Sequence, residues 1–112
     1  MKMSEFHRLY GFRSCYTNIR GLKYHYIDEG SGEPVLMIHG NPTWSFYYRN
    51  LIRALAPGYR AIAVDHIGCG LSEKPDTARY DYRLASRIND LDTFVSHLGI
   101  RENLTLILHA WG

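Results

Sequence analysis

Only two cysteines occur in the chain, Cys15 and Cys69, far apart and in no paired-thiol motif. A disulfide-stapled secreted scaffold is therefore excluded, and two free thiols in a reducing cytoplasm are expected. Long apolar runs are also lacking. The longest, around 35–38 and 104–108, fall far short of the ~20 residues that span a bilayer. The start, MKMSEFHRLY, carries positive charge but no apolar core behind it, so no secretory signal is expected. Charge of one sign is scarce in excess: 13 Lys and Arg against 11 Asp and Glu, scattered, leave a net charge of +2. No basic stripe points to nucleic acid, and no polybasic segment points to a membrane surface. Repeats, low-complexity tracts and interdomain linkers are absent, and 112 residues suit one small domain.

What is present is an alternation of strand and helix patterns. GLKYHYI (21–27) alternates polar and apolar residues as a half-buried strand does, and 28–33 is a turn by composition. VLMI (35–38) is a continuous apolar run expected to be buried on both faces, forming a hairpin with the strand before it. Trp44, Tyr47, Tyr48, Leu51, Ile52 and Leu55 recur at helical spacing, with Arg49, Asn50 and Arg53 opposite and Pro57-Gly58 as a stop. AIAV (61–64) is a second buried strand. Leu84, Ile88, Leu91, Val95 and Leu98 mark a second helix, with Asp81 expected as its N-cap and Gly99 as its stop. LTLIL (104–108) is a third buried strand. The class is α/β, a mostly parallel sheet with helices on both faces. The cluster TWSFYY (43–48) within nine Tyr, four Phe and two Trp reads as core packing or as pocket lining.

In such a sheet, ligands bind beyond the carboxyl ends of the strands. The stretches there are HGNPT (39–43), DHIGCGLS (65–72) and HAWG (109–112). Gly68 and Gly70 resemble the start of a dinucleotide loop, but Glu73 stands at the third position and would repel a pyrophosphate. Backbone turning is the simpler reading of these glycines. The six His include no pair three or four apart and no Cys lies at ligand spacing, so no metal site is expected.

The three blocks HGNPTWS (39–45), DHIGCGLSEKP (65–75) and HAWG (109–112), in this order, resemble the α/β-hydrolase fold. More narrowly they resemble haloalkane dehalogenases and the β-lactone decarboxylases of bacterial long-chain olefin biosynthesis. The wording of 41–48 and 65–70 leans toward the olefin-pathway branch. In that fold a nucleophile sits on a strained strand-to-helix elbow. The resemblance implies an Asp there that attacks carbon and forms an ester, later hydrolysed by water. The matching position is Ala110. The family's leaving-group clamp maps onto Asn41 and Trp111, two N–H donors aimed at developing negative charge. Asn41 is the discriminating residue, because epoxide hydrolases of this fold share the Trp but usually carry an aromatic residue at that position. His39 and Asp65 are expected to position loops, and His109 is not the catalytic base, which in this fold lies far downstream.

A methyl group cannot attack, so the displacement chemistry is expected to be lost. Two explanations stand: an Asp exchanged for Ala to trap a bound substrate, or a naturally degenerate copy. The resemblance further implies that residues 1–112 are the N-terminal portion of one α/β-hydrolase domain, ending at the nucleophile elbow, with cap, catalytic acid and His elsewhere. It implies a small hydrophobic substrate (a haloalkane or a long-chain β-lactone), no cofactor, and olefin-pathway enzymes as possible partners. The rival reading is a non-catalytic pseudoenzyme or assembly module of the same fold; an epoxide hydrolase and a nucleotide-binding domain rank lower. Expressed alone, the chain is expected to expose its last strand as an unprotected edge and to associate.

Overall fold

The computed structural model describes residues 12–39 and 45–108, apart from the side chains of Phe46 and Tyr47. The alternating and apolar runs become strands: β1 (Cys15–Ile19), β2 (Leu22–Glu29), β3 (Pro34–Ile38), β4 (Arg60–Val64) and β5 (Thr105–Leu108). Among the described residues they form one sheet in the order β1-β2-β4-β3-β5. β3 pairs in parallel with β4 and β5, while β2 runs antiparallel to both β1 and β4.

The expected hairpin between β2 and β3 is corrected by this order. β2 turns back on β1, a strand the alternation did not mark, through Arg20 and Gly21 at φ +52° and +81°. Such paired positive angles match the twist of a tight hairpin, and Asn18 Oδ1 accepts from the Gly21 N–H at 2.8 Å. β4 then inserts between β2 and β3. Periodicity specifies which faces a strand buries, not which strand lies beside it. VLMI, apolar on both faces, takes the position with strands on either side.

Alternation sorts the core onto two faces. Leu36, Ile38, Ile62 and Val64 meet Phe94 and Val95 of α2 (Leu84–Leu98), while Met37, Ala61 and Ala63 meet Tyr48 and Ile52 on the other side. Ile52 belongs to α1 (Arg49–Leu55), which is preceded by a 3-10 turn at Ser45–Tyr48. The helix expected over 44–55 thus starts more tightly wound than its spacing implied, and Trp44 lies outside the described residues. Tyr48 donates its hydroxyl to the Ile38 carbonyl at 2.7 Å, tying that turn to β3.

Gly99 ends α2 as expected, at φ +66°, with its N–H on the Val95 carbonyl. Asp81 is not the N-cap residue. That position falls to the extended Arg83, and Asp81 works from two residues upstream, accepting from the Arg83 N–H at 3.1 Å and from the Ser86 hydroxyl. The buried stripe is also rotated. Ser86, Asp90, Phe94 and Val95 face inward, whereas Leu84 and Ile88 are each 55% exposed. The physical reason lies at Asp90, buried and accepting from the Tyr80 hydroxyl at 2.6 Å and Arg20 at 2.8 Å. Those bonds turn a polar residue inward and swing the two apolar positions outward.

Candidate active site

Three neighbouring strands stop at one level. Ile38 pairs with Val64 on one side and Leu108 on the other, so the chain leaves β3, β4 and β5 side by side at their carboxyl ends. His39 and Asp65 therefore follow β3 and β4 at the end where Leu108 closes β5, the end where open parallel sheets place their ligands. Asn41, Ala110 and Trp111 themselves lie outside the described residues. Asn41 is two residues beyond His39, and Ala110 and Trp111 follow Leu108 by two and three.

Beneath this end is a buried polar network. The Asp65 side chain, wholly shielded from solvent, accepts from the Ser45 N–H through Oδ1 at 2.6 Å. Its Oδ2 contacts His25 Nδ1 at 2.6 Å and accepts from the Leu71 N–H at 3.1 Å. Since the carboxylate can only accept, it sets the His25 ring proton on Nδ1. The Ser72 hydroxyl donates to the Asp65 carbonyl at 2.6 Å and accepts from the His25 N–H at 2.7 Å. His39, also fully buried, accepts from the His66 N–H at Nε2 at 3.0 Å, a bond that requires the lone pair on that nitrogen. The expectation that His39 and Asp65 serve as loop positioners agrees with these contacts. His25, Ser45, Ser72 and His66 were not singled out from sequence. The only available signal was that polar residues recur in otherwise buried stretches.

His66 is 2% exposed and its ring stacks at a tilt on His39, with centroids 4.5 Å apart. Among the described residues, neither of its ring nitrogens has a hydrogen-bond partner. Burial first, then the neighbouring His39 and Arg87, push its pKa from 6.5 down to about 3. The ring therefore stays neutral at ordinary pH. The loop that follows turns at Gly68, φ +91°, where an added Cβ would overlap the Tyr82 ring. Gly68 and Gly70 both take positive φ, so they are turning residues, as expected. The Cys69 thiol nearby, its pKa raised mainly by burial, is a poor nucleophile. Among the described residues no group of His, Cys, Asp and Glu is suited to a metal ion, and no helix is long and apolar enough to cross a membrane.

Chemically, the described part of this end is a rigid base. It orients backbone and carries no described side chain that is both exposed and poised for proton transfer.

Known proteins are similar to this chain. Residues 33–112 match the family model described as the alpha/beta hydrolase fold. The chain is 54% identical over 101 residues to the cis-3-alkyl-4-alkyloxetan-2-one decarboxylase of Shewanella oneidensis, covering 90% of this chain and 32% of that protein. It is 48% identical over 111 residues to the decarboxylase of the same name from Xanthomonas campestris, covering 92% and 37%. A haloalkane dehalogenase of Mycobacterium bovis is 41% identical over 99 residues, covering 88% and 34%. Among solved structures, a haloalkane dehalogenase from Agrobacterium tumefaciens superposes with a TM-score of 0.81 at 37% identity, covering 89% of this chain and 33% of that one. The chain thus spans about a third of the length of the curated relatives it matches. With three parallel strands ending together over a buried polar base, and with this family match, the chain belongs to the α/β-hydrolase fold family.

Proposed function

We propose that residues 1–112 are the N-terminal portion of an α/β-hydrolase domain of the β-lactone decarboxylase and haloalkane dehalogenase group, with its nucleophile position occupied by Ala110. Asn41 and Trp111 are its leaving-group donors, and a small hydrophobic substrate is its target. The observation that carries the choice is the gradient of identity. It is 54% and 48% toward two enzymes named for an oxetan-2-one, which is a β-lactone, against 41% toward a dehalogenase. A long-chain β-lactone is accordingly the preferred substrate, decarboxylated to an olefin, and enzymes of an olefin pathway are the natural partners.

The level ends of β3, β4 and β5 support the site assignment. They start the Asn41 segment and the Ala110-Trp111 segment from adjacent strands. Asn41 and Trp111 each bring an N–H donor, which suits a leaving group that gains negative charge as its bond to carbon breaks. An acyl-transfer site would need Ser at 110 and would gain nothing from an indole donor beside it. With Ala at that position no ester forms and the protein is inert.

Ala110 by itself also favours a second reading, a non-catalytic assembly module that keeps the pocket. A110D in the intact protein separates the two. The carboxylate should switch on CO2 release from a cis-dialkyl β-lactone, or halide release from haloalkanes, while the parent releases neither. A folded A110D protein that binds both substrate classes yet turns over neither would remove Ala110 from the nucleophile position and leave the assembly reading.

A further inference from the structure

One ring of the buried network has an edge that nothing in the network uses. His25 is wholly shielded from solvent, and its Nδ1 is turned to Asp65 Oδ2 at 2.6 Å. With the ring proton held there, Nε2 carries a lone pair and can only accept. Among the described residues Nε2 has no hydrogen-bond partner. A buried polar atom left empty is costly, and folded proteins keep few of them.

Strand register shows what lies over it. Residues of β2 alternate between faces, so His25 shares its face with Lys23. Across from them on β1 stand Tyr16, opposite His25, and Asn18, opposite Lys23. On the other flank the loop after β4 runs beside β2, its Ser72 hydroxyl on the His25 N–H and its Glu73 N–H on the Lys23 carbonyl. An open cleft of about 820 Å³ lies here, lined by Tyr16, Thr17, Asn18, Lys23, Leu71 and Glu73. His25 is therefore beneath its floor, and its Nε2 is directed away from the carboxylate that holds Nδ1. The Tyr16 ring forms the cover, its centroid 5.1 Å from that of the imidazole. Tyr16 is 52% exposed on the outermost strand, where side chains change rotamer fast.

The chemistry of the lining defines a ligand. An acceptor at the floor requires a donor, which a β-lactone and a haloalkane both lack. The Tyr16 ring, the Leu71 side chain and the methylene stem of Lys23 suit a flat apolar body. The carboxylate at the rim is already occupied, because Glu73 is held by Arg79 at 3.1 Å and by the Lys23 N–H at 3.0 Å. We propose that this cleft binds a small aromatic alcohol of the phenol class, whose hydroxyl donates to His25 Nε2 once the Tyr16 ring swings aside.

The test is titration of the intact protein with phenol and with anisole, which has the same ring and no donor. Histidine labelled with nitrogen-15 reports the site directly, because a proton donated to Nε2 moves the resonance of that nitrogen. Phenol should shift the His25 Nε2 signal saturably and bind about three- to tenfold more tightly than anisole, the gain from one neutral hydrogen bond. H25N keeps a side-chain N–H for Asp65 and removes Nε2, so phenol and anisole should then bind alike. S72A loosens the same network and leaves Nε2 in place. It should lower the melting temperature and keep the preference for phenol. Equal affinities in the parent overturn the proposal, as does a preference for phenol that survives in H25N or disappears in S72A. A His25 resonance unmoved by phenol, or no saturable binding of phenol by the folded parent, overturns it as well. The comparison in the parent needs no variant, so it decides even where H25N does not fold.

Discussion

His66 is a neutral imidazole in a place that cannot hydrate a charge, and its consequence is measurable. Unfolded, such a ring takes up a proton near pH 6.5; folded, it resists until about pH 3. Between those values the unfolded chain binds the extra proton, so stability falls as the pH drops from 6.5 toward 3. The expected loss is about 1.4 kcal/mol per pH unit. Urea unfolding at several pH values should show H66Q with a flatter acid limb than the parent. An identical slope would place the acid sensitivity elsewhere. Comparison between variants matters because Glu73 and Asp81 act in the same direction at lower pH. Their pKa values are lowered, by a hydrogen bond from the Lys23 N–H and by the Ser86 hydroxyl respectively, and their contribution disappears as they protonate. At the proposed reaction centre, N41A or W111F in an A110D background should each cut turnover by roughly ten- to a thousand-fold. Unchanged turnover in both, with bond cleavage shown to limit the rate, would reduce the pair to packing.

Among the elements, the loop after β4 is the one whose shape depends on a single residue. Gly68 combines φ +91° with a close approach to the Tyr82 ring, and its N–H donates to the Glu73 carbonyl at 2.8 Å. G68A must strain the backbone and displace that ring, at a cost of about 1–3 kcal/mol. Because the same loop presents the Leu71 N–H to Asp65, the melting temperature should fall as well. A G68A protein as stable as the parent would show that the turn has another low-energy form. α2 offers the opposite case. Leu84 and Ile88 are more than half exposed, so nothing within the described residues depends on their apolar character.

At the scale of the whole molecule, β5 is one of the two edges of the sheet among the described residues. It pairs only with β3 among the described residues, and Leu106 and Leu108 are 53% and 58% exposed. A strand with unpaired N–H and C=O groups and bare leucines is a template for further pairing. The 112-residue chain in isolation should therefore associate or remain only partly ordered. L106K with L108K should raise its monomer fraction in sedimentation experiments, by placing charge on that edge. A monodisperse parent with a cooperative melting transition would mean the edge is protected by other means.

Much of this was legible before any coordinates. The apolar runs at 35–38 and 61–64, the helix ending at Gly99, the turning role of Gly68 and Gly70, and the α/β class all follow from local spacing and backbone limits. The family was legible from three ordered blocks. Other features were not. The adjacency of β4 to β3, the inward turn of Asp90 and the bond from Ser45 to Asp65 depend on groups brought together across 10 to 70 residues of chain. Local sequence determines which surfaces must be buried, because that preference belongs to each side chain and its period. Which buried polar groups meet is decided only when the sheet assembles, because a hydrogen bond in the interior needs both partners, and the order of the strands chooses them.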